Sequence, residues 1–187
     1  MLVRGATLAL ISWAVALAAC SNDGARACAT QVAPEVCATP GSLRGAEAVA
    51  VLWVAEPPIE LSPEPLSDGR YVQTGRSLGC GEGFSPPAEP HSVTGVLEVS
   101  GCVLRRAFVT TPATEPATEP QVSVVTFDYA PDGSLALKDA CSSAPAAAVV
   151  APYGFDGTTL QLSVSTEETG ADGNAYSCSG VDTYEPL

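Results

Sequence analysis

The chain has 187 residues and a formal net charge of −13, from 8 basic and 21 acidic side chains. A surface this acidic repels phosphates and anionic headgroups, so the composition excludes nucleic acid as a partner and excludes electrostatic attachment to a membrane. The length suits one domain with its own hydrophobic core, and nothing in the composition requires two.

The first 19 residues have the pattern of a secretory signal peptide. One basic residue, Arg4, precedes an apolar run that ends in the small residues Ala18 and Ala19. The run has about the length of a signal core and is shorter than the roughly 20 residues of a membrane-spanning helix. We therefore predict that residues 1–19 form a signal helix that is removed, which leaves seven basic and 21 acidic residues and a net charge of −14.

The signal ends in Leu17-Ala18-Ala19-Cys20, which resembles the lipobox of bacterial lipoproteins at every position. The resemblance implies that Cys20 is acylated, that the chain is cut before it, and that the lipid bilayer holds the mature protein through this residue. One acyl chain alone binds a membrane only marginally, which fits the multiply acylated cysteine of the family. Ser21 stands where an aspartate is the family's signal for retention in the inner membrane, so we expect a place in the cell envelope with the outer membrane favoured over the inner. The alternative is a plain cleavable signal followed by a chance cysteine.

Six cysteines remain for the mature protein. They are Cys28, Cys37, Cys80, Cys102, Cys141 and Cys178. An even number in an exported, oxidising compartment predicts three disulfides, for which 15 pairings are possible. Nearness in sequence favours the pairs Cys28–Cys37, Cys80–Cys102 and Cys141–Cys178. A thiolate metal site is disfavoured because there is no C-x-x-C pair and the only histidine, His91, lies apart from the cysteines.

Residues 20–45, which comprise the lipidated N-terminus and the segment after it, are rich in Ala, Pro, Thr and Gly and have no apolar periodicity. This composition predicts a flexible tether, with a recognition segment as the alternative. Residues 46–187 are expected to form a single β domain. Their first apolar run, residues 48–54 (AVAVLWV), is rich in Val and stops at prolines, which favours a strand. Residues 71–74 predict a second, short strand.

The middle of the domain predicts two hairpins. Residues 93–99 and 102–109 flank Ser100-Gly101, a pair that a tight reverse turn accepts. The repeat ATEPATEP at 113–120 predicts a solvated loop, with a partner-binding motif as the alternative. Beyond it, apolar residues alternate with polar ones up to Tyr129 and again after Asp132-Gly133, which predicts the second hairpin.

The last third continues the same pattern. An apolar run at 146–150 is followed by Asp156-Gly157 and by the cleanest alternation in the chain, at 160–165. Residues 167–174 predict a polar loop with a third Asp-Gly pair, 176–181 a final strand, and 184–187 a tail. No window has a helical period, so the sequence predicts an all-β, antiparallel domain of about eight short strands in a small barrel or sandwich.

Two motifs of the second half resemble the small β-barrel lipoproteins of the lipocalin-like kind. They are Phe155-Asp156-Gly157-Thr158-Thr159-Leu160-Gln161-Leu162 and Tyr176-Ser177-Cys178, and together with the strands around them they cover about a third of the chain. The resemblance implies a barrel or half-barrel whose interior holds a small apolar ligand.

The sequence contains no recognisable catalytic constellation and implies no cofactor. His91 is predicted to be a solvent-exposed loop histidine, and there is no G-x-S-x-G elbow. The glycines around Cys80 lack the ending of a phosphate loop and fit a disulfide-bearing turn better. Glu167, Glu168 and Asp172 lack the ordered pattern of a calcium loop, so no metal is expected.

The only basic doublet, Arg105-Arg106, puts one guanidinium on each face of its strand. We expect the doublet to lie in water at the strand's end, and the alternative is that one of the two points inward and pairs with a buried acid. Taken together, these patterns predict a non-enzymatic envelope lipoprotein with a binding or structural role. A lipocalin-like carrier of a small apolar ligand is the alternative, and an enzyme comes third.

Overall fold

The computed structural model describes residues 36–37, 42–57, 59, 64–87, 91–111, 119–141 and 147–187. Within these ranges the chain forms ten β-strands that belong to one sheet. The strands are β1 (Val49–Trp53), β2 (Gly69–Cys80), β3 (Ser92–Ser100), β4 (Val103–Thr111), β5 (Gln121–Tyr129), β6 (Leu135–Asp139), β7 (Val149–Ala151), β8 (Tyr153–Phe155), β9 (Leu160–Thr169) and β10 (Ala175–Pro186). The all-β class is confirmed, whereas the predicted number of about eight strands is too low.

The sheet curls into a nearly closed barrel. Its strand order is β7-β6-β5-β4-β3-β1-β2-β10-β9-β8, so the two ends of the sheet are β7 and β8. These two strands are consecutive in the chain and only Pro152 separates them, yet β7 pairs with β6 and β8 pairs with β9. One segment, residues 149–155, therefore brings the two ends of the sheet together.

The first strand is the exception to the antiparallel pattern. β1 runs parallel to β2 and antiparallel to β3. β2 and β3 pair directly only from Gly69 and Val99 to Val72 and Val96, and beyond that point β1 lies between them. The prediction of a wholly antiparallel sheet is therefore wrong, because the alternation within a strand reveals its faces but not the direction of its neighbours.

Two segments predicted to be irregular contain strand residues. β9 extends to Thr169 and β10 extends to Pro186, which shortens the predicted polar loop and converts most of the predicted tail into strand. Tyr184 is the physical reason at the C-terminal end, because its side chain is fully buried and it lies opposite Leu160 in the register. The predicted tail, residues 184–187, is too short to show the apolar alternation that would have predicted this burial.

The predicted Asp-Gly turns are confirmed. The glycines have positive φ angles of 81°, 92° and 81°, a conformation that glycine adopts without steric cost. In each turn the aspartate Oδ1 accepts a hydrogen bond from the backbone N–H two residues further on, and hydrogen bonds from neighbouring residues lower the pKa of all three carboxyls. The pairs are Asp132–Ser134, Asp156–Thr158 and Asp172–Asn174.

The hydrophobic core fills one end of the barrel. Its members are buried side chains from most of the strands, and Tyr153, Tyr184, Leu135 and Leu160 are among the most completely enclosed. The core residues are Leu66, Tyr71, Leu97, Val99, Leu104, Phe127, Leu135, Tyr153, Phe155, Leu160 and Tyr184. Two buried hydroxyls at this end donate to backbone carbonyls, Tyr71 to Ser67 and Tyr153 to Glu64, and burial raises the pKa of both.

Disulfides connect parts of the chain that are far apart in sequence. Cys37 is bonded to Cys141 across 104 residues, and Cys80 to Cys178 across 98 residues. Cys102 is disulfide-bonded too, whereas Cys28 and Cys20 lie outside the described residues. The pairing predicted from nearness in sequence is wrong, because Cys80 and Cys178 lie directly opposite each other on the neighbouring strands β2 and β10.

Acidification is expected to remove the contribution of the Asp156 turn to the stability of the folded protein. Hydrogen bonds from the backbone of Thr159 and Thr158 lower the pKa of Asp156 in the folded protein, so this contribution is present above the unfolded pKa and is lost as the pH falls through the folded one. Asp156→Asn keeps an acceptor oxygen but does not titrate. The difference in melting temperature between the wild type and this variant should shrink as the pH falls from about 6 to about 3. A constant difference over this range would contradict the assignment.

The disulfide pairing can be checked directly. Peptide mapping of the oxidised protein by mass spectrometry should recover Cys37 linked to Cys141 and Cys80 linked to Cys178. Replacing both Cys80 and Cys178 by Ser should lower the free energy of unfolding by about 2 to 5 kcal/mol, because a long loop is then no longer closed in the unfolded chain. A peptide that joins Cys80 to Cys102 would show that the described pairing is wrong.

Candidate functional site

A group of polar side chains lies inside the barrel where β1 enters between β2 and β3. At its centre is Asp182 on β10, whose side chain is 0% exposed. Its Oδ1 lies 2.8 Å from Arg76 Nε and accepts a hydrogen bond from Gln73 Nε2 at 2.9 Å. Its Oδ2 accepts a short hydrogen bond from Arg106 Nη2. We refer to Gln73, Arg76, Arg106 and Asp182 as the polar cluster.

An irregularity in β2 places two members of the cluster on the same face. Gln73 and Arg76 are three residues apart, a spacing that puts side chains on opposite faces of a regular strand. Against β10, however, Gly75 pairs with Thr183 and Gln73 pairs with Tyr184, so that Thr74 has no partner in the register. This bulge turns both Gln73 and Arg76 toward Asp182.

Gly95 on β3 makes room for the cluster. A Cβ atom built on Gly95 would overlap Gln73 Oε1 and would crowd the Gln73 Cβ and Cδ atoms. The Gln73 side chain is held in this place because its amide donates to the buried carboxylate of Asp182. Any side chain at position 95 therefore competes with the cluster for space.

The cluster carries a formal excess of one positive charge, since two guanidiniums face one carboxylate. Burying ions is costly unless they are paired, and Asp182 is paired on both oxygens. The Tyr184 hydroxyl lies 3.5 Å from Asp182 Oδ2, and burial raises the pKa of Tyr184, so this hydroxyl stays protonated and donates to the carboxylate. Three buried atoms of the cluster, Gln73 Oε1, Arg76 Nε and Arg106 Nε, have no partner with hydrogen-bond geometry in the described structure, although Arg76 Nε lies 2.8 Å from Asp182 Oδ1.

The inner face of the barrel is accessible to solvent beside Arg106. Residues directly opposite each other in neighbouring strands share a face, so Ser123 shares the inner face with Arg106, and Gln121 shares it with Phe108. Both Ser123 and Gln121 are exposed. One further exposed residue shares this face, Val149 opposite Leu137, and the half-buried Thr166 lies on it opposite Cys178. We call the region lined by Gln121, Ser123, Val149 and Thr166 the open side.

Arg106 connects the cluster to the open side. Its side chain is 20% exposed, whereas that of Arg76 is 8% exposed. The guanidinium lies over the ring of Phe108 at 4.4 Å from its centroid, a cation–π contact that holds the planar group in one orientation. Arg106 is therefore the more exposed of the two guanidiniums in the cluster.

The structure corrects the expectation for Arg105-Arg106. The two side chains are on opposite faces of β4, but Arg106 points inward and pairs with buried Asp182 rather than lying in water at the strand's end. Arg105 is on the outer face, where its Nη1 lies 3.1 Å from Glu98 Oε2. The reason is that Arg106 shares the face of β4 that carries buried Leu104, and on this face it lies within reach of Asp182.

His91 is also placed differently from the prediction. It precedes β3, but its side chain is only 13% exposed, and its ring packs edge-on against Trp53 at 5.4 Å between centroids. His91 Nε2 lies 3.6 Å from Glu168 Oε2. Trp53 also packs against Phe84, and this aromatic packing explains why a histidine outside the strands is largely buried.

The acidic residues considered for calcium are not brought together. Glu168 faces His91, while Glu167 is the next residue on β9 and points to the other face. The Asp172 carboxylate accepts hydrogen bonds from the Asn174 side chain and from the Tyr176 hydroxyl. In the part of the chain that the structure describes, no group of three or more His, Cys, Asp or Glu side chains could hold a metal ion.

Sequence reasoning missed Gln73, Arg76 and Asp182. A signal for Asp182 was present, because the alternating series Cys178, Gly180, Asp182 and Tyr184 puts this aspartate on the face of three residues that the structure buries. No comparable signal existed for Gln73 and Arg76, because the bulge at Thr74 breaks the alternation on which the pattern depends.

No protein-family model, curated protein sequence or solved structure matches the chain significantly. No described helix is long and apolar enough to cross a membrane. The fold and the site define a disulfide-linked, barrel-like β domain with a charged cluster inside it. The polar cluster and the open side beside it are therefore the features on which a function for the described domain can be based.

Removing the negative charge at the centre of the cluster should destabilise the fold. Asp182→Asn leaves two guanidiniums inside the barrel without a counter-charge, so we expect the free energy of unfolding to fall by about 3 to 5 kcal/mol. Glu98→Gln is the matched control, since Glu98 lies between Arg70 and Arg105 on the outer face. The control should change stability by less than about 1 kcal/mol. Urea denaturation of both variants checks this, and equal losses would contradict a central role for Asp182.

Proposed function

We propose that the chain is a non-enzymatic lipoprotein of the bacterial cell envelope, anchored in a lipid bilayer through acylated Cys20. Its β domain has a binding or structural role. The observation that carries the proposal is the pair of disulfides between distant parts of the chain. Such bonds form and persist in exported proteins, and export is what the lipobox at Leu17–Cys20 implies.

The geometry of the charged side chains supports a role other than catalysis. The Asp182 carboxylate is contacted by two guanidiniums and an amide, which occupy the lone pairs that a general base would need. His91 faces one acid, Glu168, and the ring of Trp53. These contacts hold strands together, and none of them activates a nucleophile.

A lipocalin-like carrier of a small apolar ligand is the second candidate. A barrel-like sheet is the architecture that such a carrier requires. The large side chains of Tyr153, Tyr184 and Leu135 fill one end of this barrel, so a ligand would have to bind at the other end, near the open side. Val149, which is 65% exposed on the inner face, supplies apolar surface there.

Membrane fractionation tests the anchor. In bacterial cells the wild-type protein should be found with the membranes, whereas Cys20→Ala should release it into a soluble exported fraction, because the residue that carries the lipid is gone. Ser21→Asp is the matched control: it retains Cys20 and should remain with the membranes, but in a cell with two membranes it should move from the outer to the inner one. Cys20→Ala protein that stays with the membranes would overturn the proposal.

A further inference from the structure

Cys102 forms a disulfide with a cysteine that lies outside the described residues. The sequence has seven cysteines, and four of them are joined in the two bonds described above. Cys102 is disulfide-bonded as well. The two cysteines that remain, Cys20 and Cys28, both precede the described part of the chain. The partner of Cys102 within the chain is therefore one of these two.

Cys102 has a fixed position at the filled end of the barrel. It belongs to the turn between β3 and β4, and its side chain packs against the hydrophobic core. The Phe127 N–H donates to the Cys102 carbonyl, and the neighbouring Gly101 N–H donates to Asp68 Oδ1. A segment that is bonded to Cys102 is therefore held at this end of the barrel.

The segment before β1 is also attached to the barrel. Cys37 is bonded to Cys141, and the carbonyls of Ser42 and Arg44 accept hydrogen bonds from Arg70 Nη2. From Cys37 onward, these contacts hold the N-terminal segment against the domain. The length of chain between the lipid and the barrel therefore depends on which earlier cysteine is bonded to the barrel.

Cys28 is close enough in the chain to pair with Cys102 while the Cys37–Cys141 disulfide is in place. Cys102 contacts β5 at Phe127, and the residue before Cys141 donates to the carbonyl of Val124 on the same strand. Three residues of β5 separate these contacts, about 10 Å along the strand, and the strands on either side of β5 are about 10 Å apart. The chain from Cys28 to Cys37 spans up to about 32 Å, which is ample for this separation.

We propose that Cys28 is the partner of Cys102, so that the lipid anchor is joined to the barrel at the turn between β3 and β4. The choice between the two cysteines rests on the proposed function, in which the sulfur of Cys20 carries a lipid and forms no disulfide. Formation of the bond joins two sulfur atoms and releases two protons and two electrons. A disulfide-bearing oxidant of the exported compartment takes up both as it becomes a dithiol.

This bond gives the barrel a membrane-facing end. From Cys20 to Cys28 the chain spans at most about 29 Å, whereas from Cys20 to Cys37 it spans up to about 61 Å. β2 starts beside the turn between β3 and β4 and runs 12 residues to Cys80. The filled end of the barrel is therefore kept nearer the bilayer than the end that carries Cys80.

Peptide mapping of the oxidised, lipidated protein tests the pairing. Cleavage at arginine and glutamate puts the three N-terminal cysteines into different peptides and places Cys102 in peptide 99–105. Peptide 27–35, which contains Cys28, should be linked to peptide 99–105 until the sample is reduced. A free thiol at Cys102, or a bond to a second copy of the chain, would overturn the proposal and leave the anchor standing. A bond from Cys102 to Cys20 would overturn both, because that sulfur could not carry a lipid.

Two variants distinguish the candidate partners. In Cys28→Ser the thiol of Cys102 should react with an alkylating reagent in denaturant, whereas in Cys20→Ala it should stay bonded and unreactive. Cys102→Ser should in turn expose the thiol of Cys28, which provides the test if Cys28→Ser does not accumulate. A reactive Cys102 in Cys20→Ala would overturn the proposal.

A protease cut after Cys28 tests where the anchor is attached. A site for a sequence-specific protease is inserted between Thr30 and Gln31, and gel electrophoresis after reduction verifies the cut. The cut domain should stay with the membranes and be released only when its disulfides are reduced. In a Cys28→Ser background the same cut should release it without reductant. Release of the cut protein without reductant when Cys28 is present would overturn the proposal, and the thiol assay decides it if the site is not cut.

Discussion

A single carboxylate buried between two guanidiniums holds opposite walls of this barrel in register. Asp182 contacts Arg76 on the neighbouring strand β2 and Arg106 on β4, which is separated from β10 by β3, β1 and β2 in the strand order. Buried ion pairs add little net stability, because desolvation offsets most of the attraction. Their effect here is on specificity, since a slip of one residue in β2, β4 or β10 would turn a charged side chain to the wrong face and leave its partner unpaired.

The cluster also divides the interior of the barrel into two parts. On one side of it Tyr153, Tyr184 and Leu160 fill the space between the strands. On the other side Leu78 and Val93 are fully buried as well, while Gln121 and Ser123 on the inner face of β5 are exposed. The filled part supplies the stability of the domain through burial of apolar surface.

Sequence patterns predicted the local features of this fold and missed the long-range ones. The hairpin of β3 and β4 and the Asp-Gly turns follow from residues that are near one another in the chain, so periodicity and turn chemistry were sufficient. The insertion of β1 between β2 and β3, the pairing of Cys80 with Cys178, and the burial of Arg106 against Asp182 all depend on which distant strand lies next to which. A one-residue bulge at Thr74 was enough to hide two of the four members of the cluster.

The strands on either side of Pro152 pair with their neighbours over a shorter length than β9 and β10 do with each other. The segment around it contributes three residue pairs with β6 and three with β9, whereas β9 and β10 share ten pairs. Beyond Ser163, β9 pairs in the sheet only with β10. The barrel is therefore closed by a short seam, and local opening costs least where the fewest backbone hydrogen bonds must break.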